Sequence, residues 1–216
     1  MGSSRSAGSS ARGGAALTAG VLLAAAVLVG APTAAAHPAG PDDVAVSAPR
    51  ADPYYPSKGD PSVDALHYEL RLHWSARSRV LRGVARIRFR APVVESQVRL
   101  DLADPLHVRA VRLEGHAAPY RHTGKDLVVD TGPLAAESRH TLLVSYRGRP
   151  RPVTAPSTRS DVQAVGWTTT TRGEAWTMQE PFGAFTWYPV NDQPADKALY
   201  DARISAPRGM VGVFNG

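Results

Sequence analysis

The side chain in this sequence best placed to do chemistry is the carboxylate of Glu180, which follows Gln179 in an irregular run at 176–201. Prolines at positions 181, 189 and 194 exclude a long helix and remove donors from any strand. Because rigid loops that carry polar groups often bind ligands, the run predicts a functional site.

The histidines do not form a metal-binding pattern. They stand at positions 37, 67, 73, 107, 116, 122 and 140. None is followed directly by Glu, and no two are four residues apart. The His-Glu-x-x-His signature of zinc peptidases is therefore absent, and there is no cysteine to supply a thiolate. His67 and His73 are predicted to share a strand face, about 20 Å apart. We predict no metal ligand in this chain.

Other catalytic patterns are missing as well. The chain has no Gly-x-Ser-x-Gly elbow and no glycine-rich phosphate loop. Paired carboxylates for glycoside hydrolysis stay open as an alternative, because the sequence does not give their separation, but we predict no catalytic residue. Asp192 is expected to fix the turn around it by accepting backbone N–H bonds, and Lys197 to pair with Asp192 or Asp196. For Glu180, bonding to nearby backbone amides is the structural alternative to a binding role. Trp167, Trp176, Trp187 and Tyr188 are expected in the core, with a sugar-stacking platform as the alternative.

Four elements of the run carry a resemblance to a known family. Glu180-Pro181, Tyr188-Pro189, Asp192-x-Pro194 and Lys197-Ala198 stand at the spacing found in the aminopeptidase N family of zinc metallopeptidases. The sequence departs from the commoner family pattern at Met178, where Gln is usual, and at Phe185, where Arg is frequent.

The resemblance implies a saddle-shaped N-terminal β-domain whose Glu holds the free amine of a peptide substrate. Glu180 and Gln179 are the substrate-binding residues that it implies, and the N-terminus of a peptide is the implied partner. Zinc is the cofactor of the intact family. The catalytic domain that would hold it is missing from this chain, so we expect the chain alone to bind no zinc and to be inactive.

Hydrophobic alternation places this site on a β-rich scaffold. Apolar residues at every second position predict strands joined by short turns, which indicates an all-β, antiparallel β-sandwich. A shift of phase between Val108 and Val111 predicts a β-bulge. The predicted strands are 66–74, 81–89, 98–102, 106–114, 120–121, 127–129, 140–146, a hairpin at 165–178 with its turn at Arg172-Gly173, 200–206 and 211–214.

Arginine dominates the charge of the chain, whose formal net charge is +6. Arg82, Arg86, Arg88 and Arg90 are predicted on the outward face of one strand. We interpret this row as the solvated face of a sheet, with a basic binding stripe as the alternative. Nucleic-acid binding is not expected.

The first 36 residues are typical of a secretory signal peptide. Arg5 and Arg12 precede a short apolar run at 15–29, and the small residues 34–36 offer a cleavage site between Ala36 and His37. An uncleaved membrane anchor is the alternative; after cleavage no membrane span is expected. Residues 37–51 are predicted to be a flexible linker rich in Ala and Pro. Residues 52–216 are predicted to be the β-domain, cut within its last strand.

Two functional hypotheses remain. In the first, the chain is the N-terminal part of a secreted zinc aminopeptidase that removes N-terminal residues from peptides. In the second, it is a free-standing secreted β-sandwich that binds a protein or a glycan.

Overall fold

The computed structural model describes residues 40–156 and 160–215. The predicted signal peptide and the first residues of the predicted linker lie outside these ranges. Strands dominate the described residues, and their helical segments are two short 3-10 turns, Asp43–Ala45 and Ala184–Thr186. No helix within the described ranges is long and apolar enough to cross a membrane.

Twelve strands in the described residues form three sheets. The large sheet has the order β12-β1-β2-β8-β4-β5, and the smaller sheets have the orders β3-β7-β6 and β11-β10-β9. The strands are β1 Asp64–Ser75, β2 Val80–Arg90, β3 Glu95–Asp101, β4 Leu106–Leu113, β5 His116–Ala117, β6 Tyr120–Thr123, β7 Asp126–Leu134, β8 Arg139–Gly148, β9 Val153–Thr154, β10 Ala164–Thr169, β11 Ala175–Met178 and β12 Leu199–Ser205.

The all-β, antiparallel sandwich is confirmed, with one parallel pair between β1 and β12. In β1, Tyr68, Leu70, Leu72 and Trp74 are buried in the core while the alternate side chains face outward. Because alternation puts every second side chain on one face, the apolar faces of the sheets meet in one hydrophobic cluster.

Two local expectations for the strands have different outcomes. The predicted bulge is confirmed, since the register between β4 and β8 shifts between Val108 and Ala110. The prediction of a strand at 211–214 is wrong, because these residues form no strand in the structure. Phe214 packs against Trp187 and Tyr200, but residues 206–215 pair with no described strand.

The described part of the predicted linker packs on the sheet. Asp42 Oδ1 accepts a hydrogen bond from Arg88 Nη2 at 2.8 Å, and Ser47 Oγ donates to Asp64 Oδ1 at 2.6 Å. Arg90 Nη2 donates to the carbonyl oxygen of Ser47 at 2.6 Å. Residues 40–51 thus differ from a flexible linker, because their polar groups accept hydrogen bonds from Arg88 and Arg90, two outward-facing arginines of β2.

Candidate functional site

The hairpin formed by β10 and β11 delivers the chain to Gln179 and Glu180. Its register pairs Gly166 with Met178, and its turn lies at Gly173 as predicted, where φ is +86°. Trp74 Nε1 of β1 donates to the carbonyl oxygen of Gly173 at 2.7 Å. The hairpin is therefore fixed to the large sheet by a buried indole as well as by its own ladder.

Hairpin and loop fit closely where Gly166 meets Thr186. A Cβ atom at Gly166 would lie 2.3 Å from Thr186 Oγ1, and the φ angle of Gly166 is +89°. Thr186 Oγ1 accepts the N–H of Trp167 at 2.8 Å and donates to the carbonyl oxygen of Gly183 at 2.7 Å. Glycine is required here by both space and conformation.

The loop that follows Glu180 is anchored by Val190 and Asn191. Val190 and Asp101 exchange two backbone hydrogen bonds, at 2.8 and 3.0 Å. The backbone N–H of Asn191 donates to Tyr68 Oη at 2.9 Å, and its Nδ2 donates to the carbonyl oxygen of Val63 at 2.8 Å. Asn191 is buried, so these bonds satisfy groups that water does not reach.

Asp192 fixes the turn of the loop, as predicted for it. Its Oδ2 accepts the backbone N–H groups of Gly183 at 2.9 Å and Phe185 at 3.3 Å. Burial raises the pKa of Asp192 to about 6, although these two hydrogen bonds oppose the shift. The carboxyl group thus ties the 3-10 turn Ala184–Thr186 to the part of the loop that follows it.

The predicted pairing of Lys197 is wrong, since Lys197 is exposed and forms no ion pair with a described residue. Asp196 instead accepts hydrogen bonds from Asn191 Nδ2 at 2.5 Å and from the backbone N–H of Ala65 at 3.1 Å. The desolvation that accompanies this burial raises the pKa of Asp196 to about 7.

A lysine that sequence reasoning missed packs on the same loop. Lys58 Nζ lies 4.2 Å from the ring centroids of both Phe182 and Phe185. Its burial lowers the pKa of the ammonium group, and the charge of Asp101 partly offsets that shift. Cation–π contacts of this kind stabilise the position of the two rings that follow Glu180.

Gln179 and Glu180 stand in different environments although they are adjacent. Gln179 Oε1 accepts a hydrogen bond from Trp187 Nε1 at 3.0 Å. Glu180 is exposed, and its carboxylate has no hydrogen bond or ion pair with any residue that the structure describes. The structural alternative for Glu180, bonding to nearby backbone amides, therefore finds no support in this geometry.

The large aromatic residues divide between core and surface. Trp167, Trp187 and Tyr188 are buried, as predicted, and they form a chain of ring contacts across the loop. Trp176 is 51% exposed, so the core prediction for it is wrong. On β11, Trp176 is the register partner of Thr168 and borders an open cavity of about 390 Å³ together with Trp74 and Trp167.

The described residues do not fit a zinc ion. Within ranges 40–156 and 160–215, no three side chains among His, Asp and Glu gather in a geometry that could hold a metal. His67 Nε2 instead lies 2.9 Å from Asp201 Oδ2, in a pair on the outer face of the large sheet. No chemical step through zinc follows from these residues.

Comparisons with known proteins confirm the resemblance to zinc metallopeptidases. No protein-family model and no curated protein matches the chain. Among solved structures, the M1 zinc metallopeptidase from Deinococcus radiodurans matches with 25% identity and a TM-score of 0.61, over 71% of this chain and 35% of that one. A point mutant of that enzyme bound to a Tyr-Ser-Ala substrate matches with 26% identity and a TM-score of 0.62, over 70% of this chain and 34% of that one.

Two further structures extend this comparison. A two-domain M1 zinc metallopeptidase mutant bound to L-tryptophan matches with 26% identity and a TM-score of 0.63, over 69% of this chain and 34% of that one. Native yeast LTA4 hydrolase matches with 22% identity and a TM-score of 0.50, over 68% of this chain and 23% of that one. This match shows similarity of fold alone. The chain spans about a third of the length of the M1 structures it matches.

Proposed function

We propose that this chain is the N-terminal β-domain of a secreted zinc aminopeptidase and that Glu180 binds the α-ammonium group of the peptide substrate. The observation that carries the proposal is the carboxylate of Glu180, which no described residue binds, at the start of a loop that Asn191 and Asp192 anchor. The similarity to M1 zinc metallopeptidases supports the class of enzyme.

The chemistry of the amine explains the choice of a carboxylate. An α-ammonium group has a pKa of about 8, so it is mostly charged at neutral pH. A carboxylate binds it through charge-assisted hydrogen bonds, which are stronger than neutral ones. If Glu180 fixes the amine, the first peptide bond lies at a set distance from it, which restricts cleavage to the N-terminal residue.

The ligands of the similar enzymes support recognition through the amine. Tyr-Ser-Ala, L-tryptophan and L-arginine are bound in those structures. Their side chains differ in charge and size, whereas each ligand has a free α-amino group. A binding residue that contacts this shared group suits a peptidase that accepts several N-terminal residues.

Gln179 has a supporting place in this proposal. Its Oε1 already accepts the indole N–H of Trp187, which fixes the backbone next to Glu180. An amide oxygen has two lone pairs, so the same atom can accept a second hydrogen bond from the substrate ammonium. Gln179 therefore orients Glu180 and adds at most one acceptor.

The catalytic part of the enzyme must come from residues other than those described, because these do not fit zinc. The test is the coding sequence beyond Gly216. We expect an in-frame His-Glu-x-x-His downstream, the pattern that places two histidine ligands and a glutamate base on one helix face. A stop codon directly after Gly216 would instead favour the free-standing binding module.

Secretion is part of the proposal and rests on the first 36 residues. Export with cleavage between Ala36 and His37 should leave a mature protein that begins at His37. N-terminal sequencing of the protein recovered from the medium checks this. A protein that stays with the membrane fraction and keeps its first residues would support the anchor alternative.

A further inference from the structure

The outer face of the large sheet carries a row of polar side chains near the end of β1, and two of them are arginines. His73 is the register partner of Ser205 on β12 and of Arg82 on β2. Arg82 is in turn the partner of Arg147 on β8, and Arg147 is the partner of His107 on β4. The row thus crosses five neighbouring strands, a width of about 19 Å at the usual strand spacing.

A second row two residues away enlarges this cationic surface. Arg71 on β1 and Arg203 on β12 are register partners. Arg109 lies within the bulge of β4, which re-aims its side chain. These arginines border one open depression of about 500 Å³, together with Ser145 and Ser205. The arginines around this depression, here called the cationic depression, are Arg71, Arg82, Arg109, Arg147 and Arg203.

These five arginines lack neutralising partners among the described residues. All five are exposed, and none forms an ion pair or a hydrogen bond with another residue in the described part of the chain.

On the same face, Arg86, Arg88 and Arg90 are each paired with a carboxylate: Arg86 with Glu69 at 3.6 Å, Arg88 with Asp42 at 2.8 Å and Arg90 with Asp64 at 2.7 Å. Like charges on directly opposite strand positions repel each other, so an unneutralised cluster costs stability. A bound anion would remove that cost.

The geometry points to a linear polymer that carries phosphate groups without bases as the ligand of the cationic depression. Two arginines on adjacent strands, such as Arg82 and Arg147, bring two guanidinium forks to one anion. One guanidinium fork already matches both oxygens of a carboxylate, whereas a phosphate group has a further oxygen to offer the second fork. The pairs Arg71/Arg203 and Arg82/Arg147 lie about 12 Å apart, which requires more than one phosphate on the same ligand.

Other anionic partners suit this surface less well. The large exposed apolar side chains of the described residues lie elsewhere, so the depression has no group to insert into a membrane. Two rings border it, the buried Tyr146 and the exposed imidazole of His73, but no exposed Phe, Tyr or Trp does so among the described residues, so the platform for stacking a base is small. The described residues also have no helix there that would enter a DNA groove. The inference is independent of Glu180, which does not border the depression.

The test measures binding of inorganic polyphosphate to the chain of residues 1–216 in 150 mM salt, by fluorescence anisotropy of a labelled probe. The double variant Arg82→Gln/Arg147→Gln should raise Kd at least about tenfold. The matched control Arg86→Gln/Arg112→Gln removes the same charge from the same face and should change Kd less than about threefold. The slope of log Kd against log salt should fall by about 1.5 in the first variant.

The remaining arms decide the class of ligand. Polyglutamate of equal charge should bind at least about tenfold more weakly than polyphosphate, and equal binding would overturn the assignment to phosphate. Tighter binding of a DNA duplex, or of vesicles with anionic lipid, would overturn it in favour of those partners. If both double variants lose the same affinity for polyphosphate, or if the parent does not bind it, the cationic depression is not a binding site for phosphate polymers. A single cooperative thermal transition in each variant shows that both are folded.

Discussion

Asp192 Oδ2 lies 2.9 Å from the backbone nitrogen of Gly183, nine residues earlier in the chain. This hydrogen bond closes the loop that begins at Glu180, and it is buried with the carboxyl group that accepts it. The position of Glu180, which we propose binds the substrate amine, therefore depends on Asp192, a buried acid whose pKa is raised to about 6 by burial.

The raised pKa of Asp192 predicts how stability varies with pH. The folded chain binds the proton of the Asp192 carboxyl group more tightly than the unfolded chain does. The protonated group therefore contributes to the free energy of unfolding, fully below about pH 4, and this contribution is lost as pH rises through about 6. Asp192→Asn keeps an acceptor oxygen and cannot ionise. We expect the variant to melt several degrees above the parent at pH 8, a difference of up to about 3 kcal/mol, and close to the parent at pH 4.

Thermal unfolding of both proteins from pH 4 to pH 8 checks this dependence. The difference between the two melting temperatures matters, since all other titrating groups are common to both proteins. A difference that stays constant across the range would contradict the raised pKa of Asp192.

The contact between Gly166 and Thr186 predicts a large effect of a single methyl group. Gly166→Ala places Cβ 2.3 Å from Thr186 Oγ1 at a φ of +89°, so we expect a loss of at least about 3 kcal/mol of unfolding free energy. Gly124→Ala is the matched control, because Gly124 has a φ of +60° and open space around it. It should cost about 1–2 kcal/mol, measured by denaturant titration. Equal losses would show that the close fit at Thr186 contributes nothing.

The hydrogen bond between Gln179 and Trp187 predicts a conservative rescue. Gln179→Leu leaves the Trp187 N–H without its acceptor and should cost about 1–3 kcal/mol of stability. Gln179→Glu restores an acceptor at the same place and should recover most of that loss. If both variants unfold alike, the oxygen of Gln179 does not hold the loop.

The unneutralised arginines predict a stabilising substitution. Arg82 and Arg147 are direct register partners, so Arg147→Gln should raise the unfolding free energy by about 0.2–1 kcal/mol at low salt. The gain should shrink in 0.5 M salt because exposed charges are screened. A destabilised variant, or a gain that does not depend on salt, would contradict repulsion between these two side chains.

Much of the scaffold could be predicted because strand alternation is local. The buried positions of β1 follow from the sequence pattern alone, as does the phase shift that marks the bulge at Val108. The turn-fixing role of Asp192 was also predictable, because its hydrogen-bond partners lie within the same loop. These features depend on neighbours that the sequence shows side by side.

Contacts between distant segments could not be predicted in this way. Lys58 packs on Phe182 and Phe185 across more than a hundred residues, and no periodicity links them. The cationic depression is a similar case, since each arginine alone resembles a solvated residue. Only the register of β12, β1, β2, β8 and β4 places them together.

The most direct test of the central claim is Glu180→Gln in the intact enzyme that contains this chain. The substitution keeps the shape and one acceptor but removes the charge that would bind the α-ammonium group. We expect kcat/KM for a peptide with a free N-terminus to fall about ten- to a hundredfold, on the order of 1.5–3 kcal/mol, with zinc content unchanged. The loss should be much smaller for the same peptide with an acetylated N-terminus. Equal losses on both peptides, or an unchanged kcat/KM on the free peptide, would contradict amine binding by Glu180.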